Sequence, residues 1–314
     1  SLTMLGESGV CACGPLPLRC LSVSVAPSLR KYSAEVDAAA ENHWKEAVMH
    51  KPNLFDGPVW CLRSHHTTEK HGQLQLHCEL QRSSFKYVLY THYSKEGQAL
   101  RAEARSGACG LFALTQTSDG YFIFGKRSQR TACLPGHWHA VPAGQLDGPD
   151  IRSVLEQELA EEVGCDWSSV QDVQLLALMD AGEEQGHKYE FVFLLRLSIT
   201  AVEVYNLYLS AEDSYEHDAL AFIRGPAATS GEAASTEKVN ICNMDDFLGG
   251  GYLLTDASRR ALLLFFQVSP TQVPSAQVPS SAHRVGEERK CCQELREQIN
   301  LEECHLREPV PLVA

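Results

Sequence analysis

Apolar residues recur along the chain with two different periods, and the switches between them mark out its elements. Over Ala34–His50, Val36, Ala40, Trp44, Ala47 and Val48 return at helical spacing, and Pro52 ends the run. Residues 59–62 and 74–80 change to strand character; the second alternates strictly, Leu-Gln-Leu-His-Cys-Glu-Leu. The aromatic stretch 85–93 reads as a strand or an irregular segment. Residues 111–114 and 121–124 are apolar runs around Ser118-Asp119-Gly120, and Asp-Gly between such runs signals a hairpin. Residues 138–141 form another short run, followed by the loop Pro142-Ala143-Gly144. A helix is expected from about 150 to 163, with Pro149 near its first turn and Gly164 at its stop. Strands follow at 173–179, 189–197 and 219–223, with an acidic loop at 207–216. A last helix runs over 255–268, with Ala257, Ala261, Leu262 and Phe265 on one face.

This pattern divides the chain into a tail at 1–30, a small α+β unit at 31–105, a larger α+β domain at 106–268, and a Pro/Ser-rich linker with a charged tail at 269–314. The tail's sparse apolar positions, Cys292, Leu295, Ile299 and Leu306, read as a solvated segment, with a partner-binding helix as the alternative. The chain has 314 residues, enough for one large domain with attachments or two domains. It carries 27 basic and 40 acidic residues, a formal charge of −13. That balance argues against a nucleic-acid partner or an anionic membrane, and no apolar run reaches the length of a membrane span. An intracellular, cytoplasmic location is expected, with an organelle transit segment at the N-terminus as the alternative. The 12 cysteines form no C-x-x-C pair and read as reduced thiols, most of them in the core.

Candidate chemistry lies in the helix at 150–163. Glu158, Glu161 and Glu162 stand at i, i+3 and i+4, on one face. Like charges at these spacings destabilise a free helix, and a divalent cation reverses the penalty. Three oxygen donors without sulfur or imidazole suit Mg²⁺, with Mn²⁺ as the alternative. The same spacing also occurs on ordinary solvated acidic faces. Upstream, Lys126, Arg127 and Arg130 form a basic cluster that could pair with a diphosphate. His137 and His139 flank Trp138 and would share a strand face.

Residues 144–165 resemble the signature of the Nudix hydrolases, Gly-x5-Glu-x7-Arg-Glu-U-x-Glu-Glu-x-Gly-U with U apolar. Glu158-Leu159-Ala160-Glu161-Glu162-Val163-Gly164-Cys165 matches its second half. Gly144 matches its first glycine if one loop residue is deleted. Two positions depart: the early Glu falls at Pro149, beside Asp150, and the Arg is Gln157. The strand and helix order extends the likeness over about 108–268. Within the superfamily the chain is most similar to the UDP-sugar pyrophosphatases of Nudix motif 22 type. That likeness rests on Trp44, Lys51-Pro52-Asn53-Leu54-Phe55-Asp56-Gly57-Pro58, Phe124-Gly125-Lys126-Arg127-Ser128, Val141-Pro142-Ala143-Gly144, Gln157-Glu158 and Tyr215-Glu216-His217-Asp218.

The resemblance implies a mixed β-sheet sandwiched between helices, preceded by a small α+β domain. It implies Mg²⁺-dependent hydrolysis of UDP-glucose or UDP-galactose to UMP and the sugar 1-phosphate. Glu158, Glu161 and Glu162 would hold the metal, and Glu216 would act as base or further ligand. Phe55, Asp56, Lys126, Arg127, Arg130 and Gly144 would contact the nucleotide sugar. Two rivals stand beside this expectation. One is another nucleoside diphosphate substrate such as an ADP-sugar; the other is a non-catalytic nucleotide-binding module, for which Ala143, Pro149 and Gln157 are the motive.

Overall fold

A computed structural model describes residues 10–52, 54–131, 134–225, 241–244, 247 and 252–268. The strands are β1 (Val10–Pro17), β2 (Leu21–Val25), β3 (Pro58–Lys70), β4 (Gln73–Ser84), β5 (Cys109–Gln116), β6 (Tyr121–Arg127), β7 (Trp138–Ala140), β8 (Ala143–Gln145), β9 (Val170–Asp180), β10 (Tyr189–Leu197), β11 (His217–Arg224) and β12 (Ile241–Asn243). The helices are α1 (Ala34–His50), α2 (Phe85–Tyr93), α3 (Lys95–Gln98), α4 (Ile151–Val163), α5 (Ala201–Tyr208) and α6 (Asp256–Val268).

Nine strands form one mixed sheet in the order β1-β9-β10-β5-β6-β11-β12, with β8 on β5 and β7 on β6. β10 runs parallel to β5, and β11 parallel to β12. Alternation along the central strands explains the layers. Leu111, Ala113, Phe191 and Phe193 face Leu155 and Leu159 of α4. Phe112, Leu114, Val192 and Leu194 face Ala261, Leu262 and Phe265 of α6. Both sheet faces are therefore apolar, which is why these strands read as continuous hydrophobic runs rather than alternating ones. The result is the expected α+β architecture, a mixed sheet between helices.

A second sheet, β2-β4-β3, carries α1 and α2. Its residues Leu76, Cys78 and Leu80 join the same core cluster as α4. Three readings of the chain change here. Residues 85–93 are helical: Val88, Tyr90, Thr91 and His92 turn inward, and the backbone N–H of Lys86 is capped by Asp56 Oδ1 at 2.8 Å. Local aromatic content favours a strand, and tertiary burial of one helical face overrides it. The stretch 10–25, read as tail, holds β1 on the edge of the large sheet and β2 parallel to β4. Residues 201–208 form α5 behind a Thr200–Glu203 capping box, and its last two residues take the start of the expected acidic loop at 207–216. The linker and charged tail at 269–314 lie outside the described residues, as do 1–9 and most of the Gly/Ala/Ser stretch after Gly225. Among the described residues no helix is long and apolar enough to cross a membrane.

The feature that positions the site is a fork in the large sheet. β5 and β6 pair only next to their turn, at Gln116 and Phe122. Beyond that point β5 takes β8 as its neighbour and β6 takes β7. The strands diverge, and a cavity opens between them.

Candidate active site

The cavity has a volume of about 560 Å³. β5 contributes Leu111 and Phe112, β7 His139, β8 Gly144, α4 Glu158, Glu161 and Glu162, and the loop after α5 Asp213 and Glu216. Arg127, at the end of β6, and Arg130 supply cations.

Helical geometry accounts for the carboxylates. Ile151, Val154, Leu155, Leu159 and Val163 form the buried stripe of α4. Glu158 and Glu162, four residues apart, lie at the edge of that stripe and go inward with it; Glu161 sits half-buried beside them. Asp150 starts the helix: its Oδ1 accepts from the backbone N–H groups of Arg152 and Ser153, at 3.2 and 3.4 Å. This N-cap role explains the acid beside Pro149. Gly164, at φ +74°, ends the helix where a side chain would strike the Leu207 carbonyl. The following loop is tied back by the Asp213 N–H donating to the Glu161 carbonyl at 2.9 Å. The Ser128 N–H donates to the Glu216 carbonyl at 2.7 Å, which sets Glu216 between α4 and the end of β6.

Glu162 is 3% exposed, and its Oε2 accepts from the Ala143 N–H at 2.8 Å. Glu158 lies against the α carbon of Gly144: a β carbon there would stand 1.7 Å from its Oε1. This is why the loop between β7 and α4 needs glycine at that point. Gln157, at the position where the Nudix signature has arginine, donates from Nε2 to Glu161 Oε1 at 3.0 Å. It orients that carboxylate without adding charge.

The electrostatics are strained in one direction. Burial, then the charges of Glu161 and Glu216, pushes Glu158 up to about 8. Burial and neighbouring Glu158 hold Glu162 well above the carboxylate range, against the opposing hydrogen bond from Ala143. Burial also raises Glu216, with Arg127 opposing. Such a cluster gains stability from a bound cation, and its donors are all oxygen. Among the described residues, no three His, Cys, Asp or Glu side chains are already gathered closely enough to hold an ion. The carboxylates share the cavity wall rather than a single point.

The sequence candidates divide. Glu158, Glu161, Glu162, Glu216, Arg127, Arg130 and Gly144 all line the cavity. Lys126 does not line it: strand alternation turns it from Arg127, and it pairs across to Trp138 and Ala219. Asp56 caps α2, and Phe55 is 77% exposed; neither lines the cavity. His137 precedes β7, whereas His139 is buried in it and lines the cavity.

No family model matches the chain. It is 24% identical to a mouse protein, the uridine diphosphate glucose pyrophosphatase NUDT22 of Mus musculus, over 245 residues that cover 68% of this chain and 79% of the relative. Among solved structures it is similar to a MutT protein of Methanosarcina mazei Go1, at 17% identity and a TM-score of 0.33, over 52% of this chain and 95% of that one. It is also similar to DR0079 of Deinococcus radiodurans, at 21% identity and a TM-score of 0.27. That match covers 32% of this chain and 61% of DR0079, so the chain spans about three-fifths of that protein. The mouse relative supports the resemblance to the Nudix hydrolases.

Several groups at or behind the cavity wall, His139 apart, carry no signal in the sequence. Lys188 Nζ pairs with Glu190 Oε1 at 2.7 Å on the wall formed by β10, and Glu190 is 3% exposed. Thr255 and Ser258, from the start of α6, close another side. His139 meets His217 of β11 with the two Nε2 atoms 2.7 Å apart. Two histidines 78 positions apart meet only through the sheet order.

Proposed function

We propose that the cavity hydrolyses the diphosphate of a uridine diphosphate sugar in a divalent-metal-dependent reaction, releasing UMP and the sugar 1-phosphate. The observation that carries the reading is Glu158, buried against Gly144 and surrounded by Glu161, Glu162 and Glu216. So much carboxylate crowded on one wall is costly unless a further cation joins it. Glu158, Glu161 and Glu162, with Glu216 close by, would hold Mg²⁺ or Mn²⁺. The ion would offset the charge of the diphosphate and favour attack by water at phosphorus.

The chain's own groups supply the rest. Arg127 and Arg130 stand on the cavity wall as partners for phosphate oxygens, where a guanidinium can make paired contacts. Glu216, raised by burial and restrained by Arg127, is the candidate to accept the proton of the attacking water. The uridine preference draws on the mouse relative's name and on the motif resemblance. Adding a chelator to the protein with UDP-glucose and Mg²⁺ tests the reading: turnover should stop and return with excess Mg²⁺. Turnover that survives chelation would remove the carboxylate wall from the reaction.

A further inference from the structure

The buried pair formed by His139, which lines the cavity, and His217 behind it has a defined hydrogen-bond pattern. His139 Nε2 and His217 Nε2 are 2.7 Å apart, and the ring centres are 5.0 Å apart with planes at 28°. Each imidazole nitrogen lies about 1.1 Å from its ring centre, so this separation is that of rings meeting edge to edge with a near-linear N–H···N bond between them. It is not a face-to-face stack. Gly125 makes room for the arrangement, since a β carbon there would stand 2.3 Å from the His217 ring. Burial lowers the proton affinity of both rings, and Arg127 opposes a positive charge on either. At 2.7 Å the two Nε2 atoms have room for one proton between them, so one ring donates and the other accepts.

Which ring owns that proton follows from the outer nitrogens. His217 Nδ1 is sealed from solvent and has no hydrogen-bond partner. If His217 carried its proton on Nδ1, a buried N–H would be orphaned, which folded proteins rarely tolerate; a bare acceptor is tolerated more often. His217 is thus the Nε2–H tautomer, donating to His139 Nε2. His139 must then carry its own proton on Nδ1. That atom is not among the sealed, unpartnered atoms of the described residues, and His139 lines the cavity.

We infer that His217 is a positioning residue that fixes His139 as its Nδ1–H tautomer, so that His139 offers the cavity a neutral hydrogen-bond donor for a phosphate oxygen of the bound diphosphate. The identity of that oxygen rests on the diphosphate reading above; the tautomer does not. A neutral donor suits this place, because a further cation would bind the carboxylate wall instead of the ligand.

The test uses the full chain with ¹⁵N-labelled histidine. Long-range ¹H–¹⁵N spectra assign the tautomer of each ring, and calorimetry measures binding of the non-hydrolysable methylene-bridged UDP analogue with Mg²⁺. The expected spectrum shows His139 as Nδ1–H and His217 as Nε2–H, with the His139 Nδ1 signal moving when the analogue binds. His139→Asn keeps an amide N–H near the Nδ1 position and should bind within about threefold of wild type. His139→Gln places its amide at the Nε2 position and should bind about tenfold or more weakly. His217→Gln retains the donor and should bind like wild type; His217→Phe should resemble His139→Gln. Should a variant fail to fold, the wild-type spectrum still decides. A wild-type His139 in the Nε2–H form, or His139→Gln binding as tightly as His139→Asn, overturns the inference. The expected tautomers without any binding of the analogue would instead overturn the diphosphate reading and the oxygen assigned to His139.

Discussion

Alanine at position 144 would put a methyl group where the Glu158 carboxylate now lies. The new β carbon would stand 1.7 Å from Oε1, 2.1 Å from Cδ and 2.8 Å from Cγ of Glu158, whereas real β carbons essentially never approach other atoms within 3.0 Å. The carboxylate oxygen must therefore retreat by at least the difference, about 1.3 Å. The obstructing atoms belong to the end of a flexible side chain, and residue 144 keeps an ordinary backbone conformation. The fold should absorb the change, with a shift in thermal midpoint of only a few degrees. Catalysis should not absorb it: a displacement of about 1 Å at a positioned group can cost on the order of 100-fold, or about 2.7 kcal/mol of barrier. The measurement is kcat/KM for UDP-glucose at saturating Mg²⁺, alongside thermal unfolding. Gly148→Ala is the control, because a β carbon there meets only Val154 Cγ2 at 3.7 Å. A folded Gly144→Ala protein with near wild-type turnover would refute the role given to Glu158.

Three further outcomes are expected. Glu161→Gln and Glu162→Gln should each lower turnover by about 100-fold or more without unfolding the protein, while the exposed Glu156→Gln should not; equal activity across the three would place the metal elsewhere. Removing the α2 cap with Asp56→Ala should lower unfolding free energy by about 1 kcal/mol in urea titrations, and an unchanged midpoint would show that the Lys86 bond contributes nothing. His92 is buried, with Nδ1–H donating to the Gly186 carbonyl and Nε2 accepting from Ser106 Oγ, both at 2.7 Å, and burial lowers its pKa to about 4. The unfolded chain, titrating near 6.5, binds the proton first, so stability is full above that pH and falls as pH drops toward 4, by up to about 3 kcal/mol. His92→Gln should flatten that part of the pH dependence relative to wild type, and the same slope in both proteins would contradict the assignment.

Local pattern made the helices at 34–50, 150–163 and 255–268 legible, because each places its apolar residues on one face and carries a stop or cap. The strands of the central sheet were equally plain, since burial on both faces leaves unbroken apolar runs. α2 was not legible. Its aromatic residues favour a strand locally, and only the packing of Val88 and Tyr90 against other parts of the chain selects a helix. β1 and β2 were hidden for a related reason: the glycine and prolines of β1 carry no period, β2 alternates over only five residues, and their partners β9 and β4 lie far along the chain.

At the site, the glutamates of α4 were legible through their spacing together with the Gly144 loop before the helix and the Gly164 stop after it. Lys126 and Arg127 look alike as a basic pair, but strand alternation separates them, and only Arg127 reaches the cavity. Asp56 was read as a nucleotide contact, and the structure gives it a structural partner, the Lys86 N–H. The Lys188–Glu190 pair is local, two positions apart along one strand, but its place in the cavity wall and the joined imidazoles of His139 and His217 depend on the strand order of the sheet, which no local window contains.

The most direct measurement is product identification. The full chain is incubated with Mg²⁺ and, in parallel, UDP-glucose, UDP-galactose, ADP-ribose and a nucleoside triphosphate, and kcat/KM is compared with and without chelator. The account predicts UMP and hexose 1-phosphate from a UDP-hexose, at the highest kcat/KM of the set and only with the metal present. Preferred turnover of ADP-ribose or the triphosphate, or no turnover of any of them while the nucleotide still binds, would contradict it.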